Sequence, residues 1–198
     1  MIGIIYTSRM NILIIDNGTK YIDQLQQSFA GHTTRVLKYR QHTRVDRDWA
    51  DMYVLSGGNK PFIYTRLYAH ELQLIRETNK PLLGICLGME LLAHAQGVRL
   101  KRRLQKIVGV HEITIHLELF GLEDETTYRV FEAHRWTVPK ESLFETIGVS
   151  EYGAEIIKHP VRHHIGFQFH PEVASPENDG ALLLQKAVAY LEREAHNT

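Results

Sequence analysis

The sequence predicts an α/β fold: an open, mostly parallel sheet flanked by helices, with a smaller antiparallel portion. Three observations predict it. In the first half of the chain, short apolar runs alternate with stretches of helical period, the pattern of βαβ units. From Ile107 to Leu119, apolar residues alternate with polar ones (Ile113, Ile115, Leu117, Leu119), as in a half-exposed antiparallel strand. Between the two lies Lys80 to Ala93, where a buried strand, a sharp turn and a helix follow one another without a spacer.

Taken in order, residues 1–9 precede a second methionine, Met10, and are set apart as an N-terminal extension: an added strand, a disordered lead or a mis-read start. Asn11 to Ile15 is a buried strand ended by the turn signal Asp16-Asn17-Gly18. Tyr21, Ile22, Leu25 and Phe29 mark one face of a helix closed by Gly31. Arg35 to Tyr39 and Asp51 to Leu55 are the next strands, the latter running into Ser56-Gly57-Gly58-Asn59. A helix around Leu67, Leu72, Leu74 and Ile75 follows, and Pro81 opens the strand Leu82 to Ile85. Met89, Leu92, Ala93 and Gln96 then fall at helical intervals, with Gly97 as C-cap. Beyond Leu119 the strands are expected at Thr127–Phe131, Leu143–Val149, Ala154–Ile157 and His164–Phe169. A last helix from about Asp179 to Ala195 turns Leu182, Leu183, Ala187, Tyr190 and Leu191 inward. Without an internal repeat or linker, 10–198 reads as a single domain.

Composition narrows the function. A chain of 198 residues with 43% hydrophobic content can bury a sizeable core. Lys and Arg together number 23 and so do Asp and Glu, so the chain carries no electrostatic footprint for nucleic acid or an anionic membrane. One cysteine excludes an internal disulfide framework and suits a reducing, cytoplasmic compartment. No apolar run approaches membrane-spanning length, and Ile2 to Tyr6 is too short for a signal-peptide core.

The chemistry centres on that cysteine, Cys86. Gly84 and Gly88 bracket it at the strand-helix junction, where lack of a Cβ relieves crowding. The following helix offers free N–H groups and a dipole that favour the thiolate. A lone cysteine is otherwise a small hydrophobe; the bracket and a later His-Pro-Glu argue for a nucleophile. His170, after the apolar run Gly166 to Phe169, is the candidate base, and Glu172 can hold its tautomer. The rival reading gathers His159, His163, His164 and His170 around a metal. His163 and His164 are adjacent and face opposite sides of a strand, which disfavours a shared ion. No metal and no cofactor are expected.

Pro81 to Met89, taken with Gly166 to Glu172, resembles the class I (triad) glutamine amidotransferase domain, from Met10 to the end of the chain. The likeness is greatest to the stand-alone glutaminase subunits of guanylate (GMP) synthases, through Asp16 to Tyr21 and Gln168 to Val173. The anthranilate, aminodeoxychorismate and carbamoyl-phosphate systems come next. The resemblance implies a flavodoxin-like sheet and a Cys86, His170 and Glu172 triad that hydrolyses the side-chain amide of glutamine through a γ-glutamyl thioester. It implies an oxyanion hole from the backbone N–H groups of Gly58 and Leu87, with Gly57, Glu90, His134, Arg135 and Trp136 toward substrate.

The sequence departs from the family pattern at several of these positions. Glu90 stands where members usually carry glutamine, Asn59 where proline is common, and Trp136 where guanylate-synthesising members carry aspartate. Glu90 then either supplies the lost charge for the substrate α-amino group, or marks a γ-glutamyl substrate other than free glutamine, or is a solvated helix residue. No G-x-x-x-x-G-K loop is present, so nucleotide activation and use of the ammonia are expected in a synthase partner in trans. The run Arg99 to Arg103 is either its docking face or a solvated basic surface. Three function classes follow: a glutaminase subunit, a free-standing γ-glutamyl hydrolase, and a non-catalytic regulatory relative.

Overall fold

The computed structural model describes residues 9–63 and 65–196, so the extension 1–9 lies outside the described residues apart from Arg9. Fourteen elements follow in the order β1 (Asn11–Asn17), α1 (Ile22–Gln27), β2 (Thr33–Lys38), α2 (Arg44–Trp49), β3 (Met52–Gly58), α3 (Ala69–Glu77), β4 (Leu82–Ile85), α4 (Leu87–Ala95), β5 (Lys101–Ile115), β6 (Thr127–Thr137), β7 (Glu145–Val149), β8 (Ala154–Lys158), β9 (His164–Phe167) and α5 (Gly180–His196). The strands join one sheet in the order β2-β1-β3-β4-β9-β8-β7-β5-β6. From β2 to β9 neighbours are parallel, and from β9 to β6 antiparallel, so the mixed sheet has the two portions the periodicities predict.

Strand alternation divides the core between the two faces of the sheet. In β1, Ile12 and Ile14 join a cluster with Leu25, Phe29, Leu183 and Leu191, while Leu13 and Ile15 join one with Leu72, Ile75, Leu91 and Leu92. All four are fully buried, the expected state of a central parallel strand covered by helices on both sides. The antiparallel portion curls until Val138, after β6, bridges Ala154 at the start of β8. That closure brings β6 against the segment following β9: the Phe131 carbonyl accepts from the His170 N–H at 2.8 Å.

Several elements depart from the sequence expectation, each for a physical reason. Helix α2 was unforeseen because it buries no residue and so has no apolar stripe; its signal is the capping box of Thr43 and Asp46. Strand β5 begins at Lys101 rather than Ile107 and ends at Ile115 rather than Leu119. Residues 101–106 are exposed and lack alternation, but pairing of Lys101 and Arg102 with Thr137 and Trp136 extends the hairpin across a register shift. Beyond β5, Leu117 is exposed. In α5 the inward stripe runs through Leu183, Leu184, Ala187 and Leu191, which leaves Leu182 exposed rather than inward. No helix among the described residues is long and apolar enough to cross a membrane.

Candidate active site

The neighbouring parallel strands β3, β4 and β9 release their C-terminal ends side by side, which is where an open α/β sheet gathers its ligands. From those ends come Gly57 and Gly58, then Cys86, then, three residues past β9, His170. Cys86 sits at φ 50° and ψ −105°, strained for any residue but glycine, at the first corner of α4. Its N–H donates to the Phe167 carbonyl at 2.7 Å, tying the elbow to the strand that leads to His170, and its own carbonyl accepts from the Glu90 N–H at 3.0 Å. The two bracketing glycines are required by space. A Cβ on Gly84 would lie 2.6 Å from the Gly88 carbonyl carbon, and one on Gly88 would strike the Leu55 carbonyl.

The imidazole of His170 is held on three sides. Its Nδ1 lies 2.9 Å from a carboxylate oxygen of buried Glu172, so Nδ1–H donates and Nε2 is left bare. Tyr21 meets the ring edge-on with centroids 5.4 Å apart. On the remaining side, the position a Gly57 Cβ would occupy is 2.8 Å from Cε1 of His170 and 3.6 Å from Cβ of Cys86. Imidazole and cysteine thus flank the same missing methyl. The structure brings Cys86, His170, Glu172 and Gly57 together.

Cys86, Leu87, Gly58, Glu90, His134, Arg135 and Trp136 line one cleft of about 540 Å³, with Lys106 and Arg102 on its rim. The rim lysine and arginine were not singled out as cleft residues from sequence; they lie on the polar part of β5, which carries no periodic signal. A second cleft of about 570 Å³ shares Arg102 and Lys106 but contains no nucleophile. His134 borders the first cleft with both nitrogens engaged, Nδ1 to the Trp136 carbonyl at 2.8 Å and Nε2 to Glu132 at 2.6 Å. Arg135 donates to the Leu104 carbonyl, and Trp136 packs edge-on to Phe62 with centroids 5.1 Å apart. Of the four histidines of the rival metal reading, His163 pairs with Glu194, His170 turns to Glu172, and His159 accepts from the Val161 and Arg162 N–H groups while the buried His164 meets its ring edge-on with centroids 5.9 Å apart.

Burial raises the Cys86 thiol well above its ordinary range, and Glu90 and Glu172 push it the same way. The Leu87 N–H and Lys106 pull it down, as a helix N-terminus should, but do not prevail. The resting group is therefore a thiol, contrary to the thiolate expected from the helix alone. Iodoacetamide alkylation of Cys86 should rise about tenfold per pH unit from pH 7 to 9 without a plateau, since the thiolate fraction climbs throughout; a plateau below pH 8 would contradict this.

Glu90 is not a solvated helix residue: it is 4% exposed, on a helix covered by β3, β4, β9 and α3. Burial raises its carboxyl from 4.5 to about 8. The nearby Gln168 amide pulls the other way without a bond of ordinary length, and both its polar atoms are buried and unpartnered. Between pH 4.5 and about 8 the folded chain holds a proton at Glu90 that the unfolded chain has lost. Its contribution to stability therefore falls as pH rises through that window and levels off above it. Glu90→Gln should raise Tm more at pH 8 than at pH 5; an equal change at both would refute the buried acid.

Residues 13–189 match the family model described as glutamine amidotransferase class-I. The chain is 30% identical over 181 residues to a glutamine-hydrolyzing GMP synthase subunit of Methanococcus maripaludis, covering 87% of this chain and 93% of that relative. A 33% identical stretch of 108 residues in the corresponding GMP synthase subunit of Methanoculleus marisnigri covers 53% of this chain and 58% of that protein. Among solved structures, a candidate GMP synthase subunit of Thermoplasma acidophilum superposes with a TM-score of 0.83 at 21% identity, over 98% of this chain and 100% of that one.

Proposed function

We propose, for a chain that belongs to the class-I glutamine amidotransferase family, that Cys86 hydrolyses the glutamine side-chain amide and that the ammonia passes to a synthase partner. The observation that carries the reading is the meeting of Cys86, the Glu172-held His170 and the two glycines of β3 at three adjacent strand ends.

The geometry supports the following sequence. The Cys86 sulfur attacks the side-chain amide carbon while its proton passes to the bare Nε2 of His170. The oxyanion is met by the N–H of Leu87, which opens α4 without an intrahelical partner, and by that of the neighbouring Gly58 in the same cleft. A Cβ on Gly58 would lie 2.5 Å from both the Asn17 carbonyl oxygen and the Leu87 side chain, so only glycine holds that backbone there. The C–N bond breaks as His170 returns the proton to the leaving nitrogen, giving ammonia and a γ-glutamyl thioester. Water then attacks the thioester with His170 as base, the C–S bond breaks, and the sulfur recovers its proton. Glutamine and water become glutamate and ammonia.

In this reading Glu90, deep in the cleft, meets the substrate α-ammonium, which draws off the proton that the empty site retains. Glu90→Gln should then raise KM for glutamine about 10–100-fold with kcat little changed; an unchanged KM removes the role. A synthase partner is supported by relatives whose own names make them subunits. The defining experiment is ammonia and glutamate release by the purified chain, alone and with a GMP synthase partner and its nucleotide substrates. Stimulation supports the subunit reading. Full activity alone, unresponsive to the partner, supports the free-standing γ-glutamyl hydrolase that Glu90 and Trp136 in the cleft would favour. Absence of hydrolysis in both settings leaves the non-catalytic relative.

A further inference from the structure

Beneath the cleft, Glu132 and His134 of β6 point to one face, two residues apart, and the closing bridge between Val138 and Ala154 delivers Glu155 of β8 to the same place. One donor atom from each lies within 4.8 Å of the other two. Both glutamates are 0% exposed and His134 is 3% exposed. We infer that Glu132, His134 and Glu155 form a binding site for a divalent transition cation of the zinc type. This departs from the sequence expectation of no metal and does not rest on the amidotransferase reading.

The hydrogen bonds define what the site lacks. The Trp136 carbonyl can only accept, so Nδ1 of His134 carries the hydrogen and, in the neutral ring, Nε2 presents a lone pair. That lone pair faces a Glu132 carboxylate oxygen at 2.6 Å, and a positive centre must lie between them. A proton would serve that pair alone. It would leave Oε1 of Glu132 and Oε2 of Glu155 as they are, buried without a partner. Ser150 donates to the other Glu155 oxygen at 2.6 Å, which aims the orphaned one.

A divalent cation would take the facing lone pairs of His134 and Glu132 together with the orphaned oxygen of Glu155. One imidazole and two carboxylates are a zinc donor set, and the imidazole selects against magnesium and calcium. The outer contacts are of the kind that orient ligands: a backbone carbonyl on the distal histidine nitrogen and a hydroxyl on a carboxylate. Bonds of about 2.1 Å in a tetrahedron would part Nε2 and Oε2 to about 3.4 Å, a small side-chain adjustment. The ion would brace the strands that hold the His170 segment, since the Glu155 carbonyl accepts from the Gln168 N–H and the Phe131 carbonyl from that of His170.

The test uses the full chain carrying Cys86→Ala, so that the thiol cannot take the metal. After chelation and dialysis against ZnCl2, about one zinc per chain is expected. Tm should rise by about 5–10 °C at free Zn²⁺ 100-fold above its Kd, with no comparable shift from MgCl2. Uptake should be lost in Glu132→Gln and Glu155→Gln and retained in His116→Ala, which dismantles the exposed His116, Asp124 and Glu125 cluster. Failure of the folded protein to bind zinc overturns the proposal, as does uptake lost only with His116→Ala. If the glutamine variants do not fold, anomalous diffraction at the zinc edge decides: a peak among the three side chains supports the site, and its absence there refutes it.

Discussion

Cys86→Ala is expected to lower glutamine hydrolysis by at least about 10⁴-fold, the scale on which loss of a covalent nucleophile is felt. Alanine keeps the Cβ that packs beside Gly57 and removes one buried sulfur, so the fold should survive, as matching far-ultraviolet spectra and melts would show. No other thiol exists in the chain. The proposed oxyanion donors, Gly58 and Leu87, would remain and give only the residual rate that binding and charge stabilisation supply. Ammonia and glutamate measured beside the parent protein check it. Hydrolysis that persists would require a different nucleophile and end the mechanism proposed above.

Gly57→Ala should cost about 10²–10³-fold in kcat while leaving the cysteine intact, because displacement of a reacting group by an ångström is enough for such a loss. The new methyl would fall 2.8 Å from Cε1 of His170, inside van der Waals contact. The ring cannot swing aside freely: Glu172 holds Nδ1 at 2.9 Å and Tyr21 stands against its edge. Either the hydrogen bond to Glu172 lengthens or β3 shifts from β4, and both displace His170 from Cys86. Iodoacetamide labelling of Cys86 should continue in this variant, since alkylation does not need the imidazole in place. Near-normal kcat would show that His170 reaches Cys86 by another path.

The cysteine elbow was legible because its signal is local. A short apolar run, glycines at fixed offsets and a change to helical period specify strand, turn and helix from neighbours alone, and β4 and α4 formed where these pointed. His170 and Glu172 were legible for the same reason, being two residues apart on a chain stopped by Pro171. Helix α2 was not, since a helix that buries nothing leaves no periodic mark. Leu182 misled because α5 has apolar residues at 182, 183 and 184, and only the sheet beneath it chooses which of them turn inward.

What the sequence by itself determined is the order of strands and helices in the parallel half apart from α2, the elbow, and the chemical character of the candidate triad. Each is set by residues adjacent in the chain. The tertiary structure alone decided that Glu90 is buried with a retained proton, that His134 spends both nitrogens within the protein, and that Glu155 arrives beside Glu132 from across the curled sheet. Burial and charge proximity depend on which distant strands close over a side chain. The curl that joins β6 to β8 brings Glu132 and His134 to Glu155, more than twenty positions away, a separation at which no local period leaves a trace.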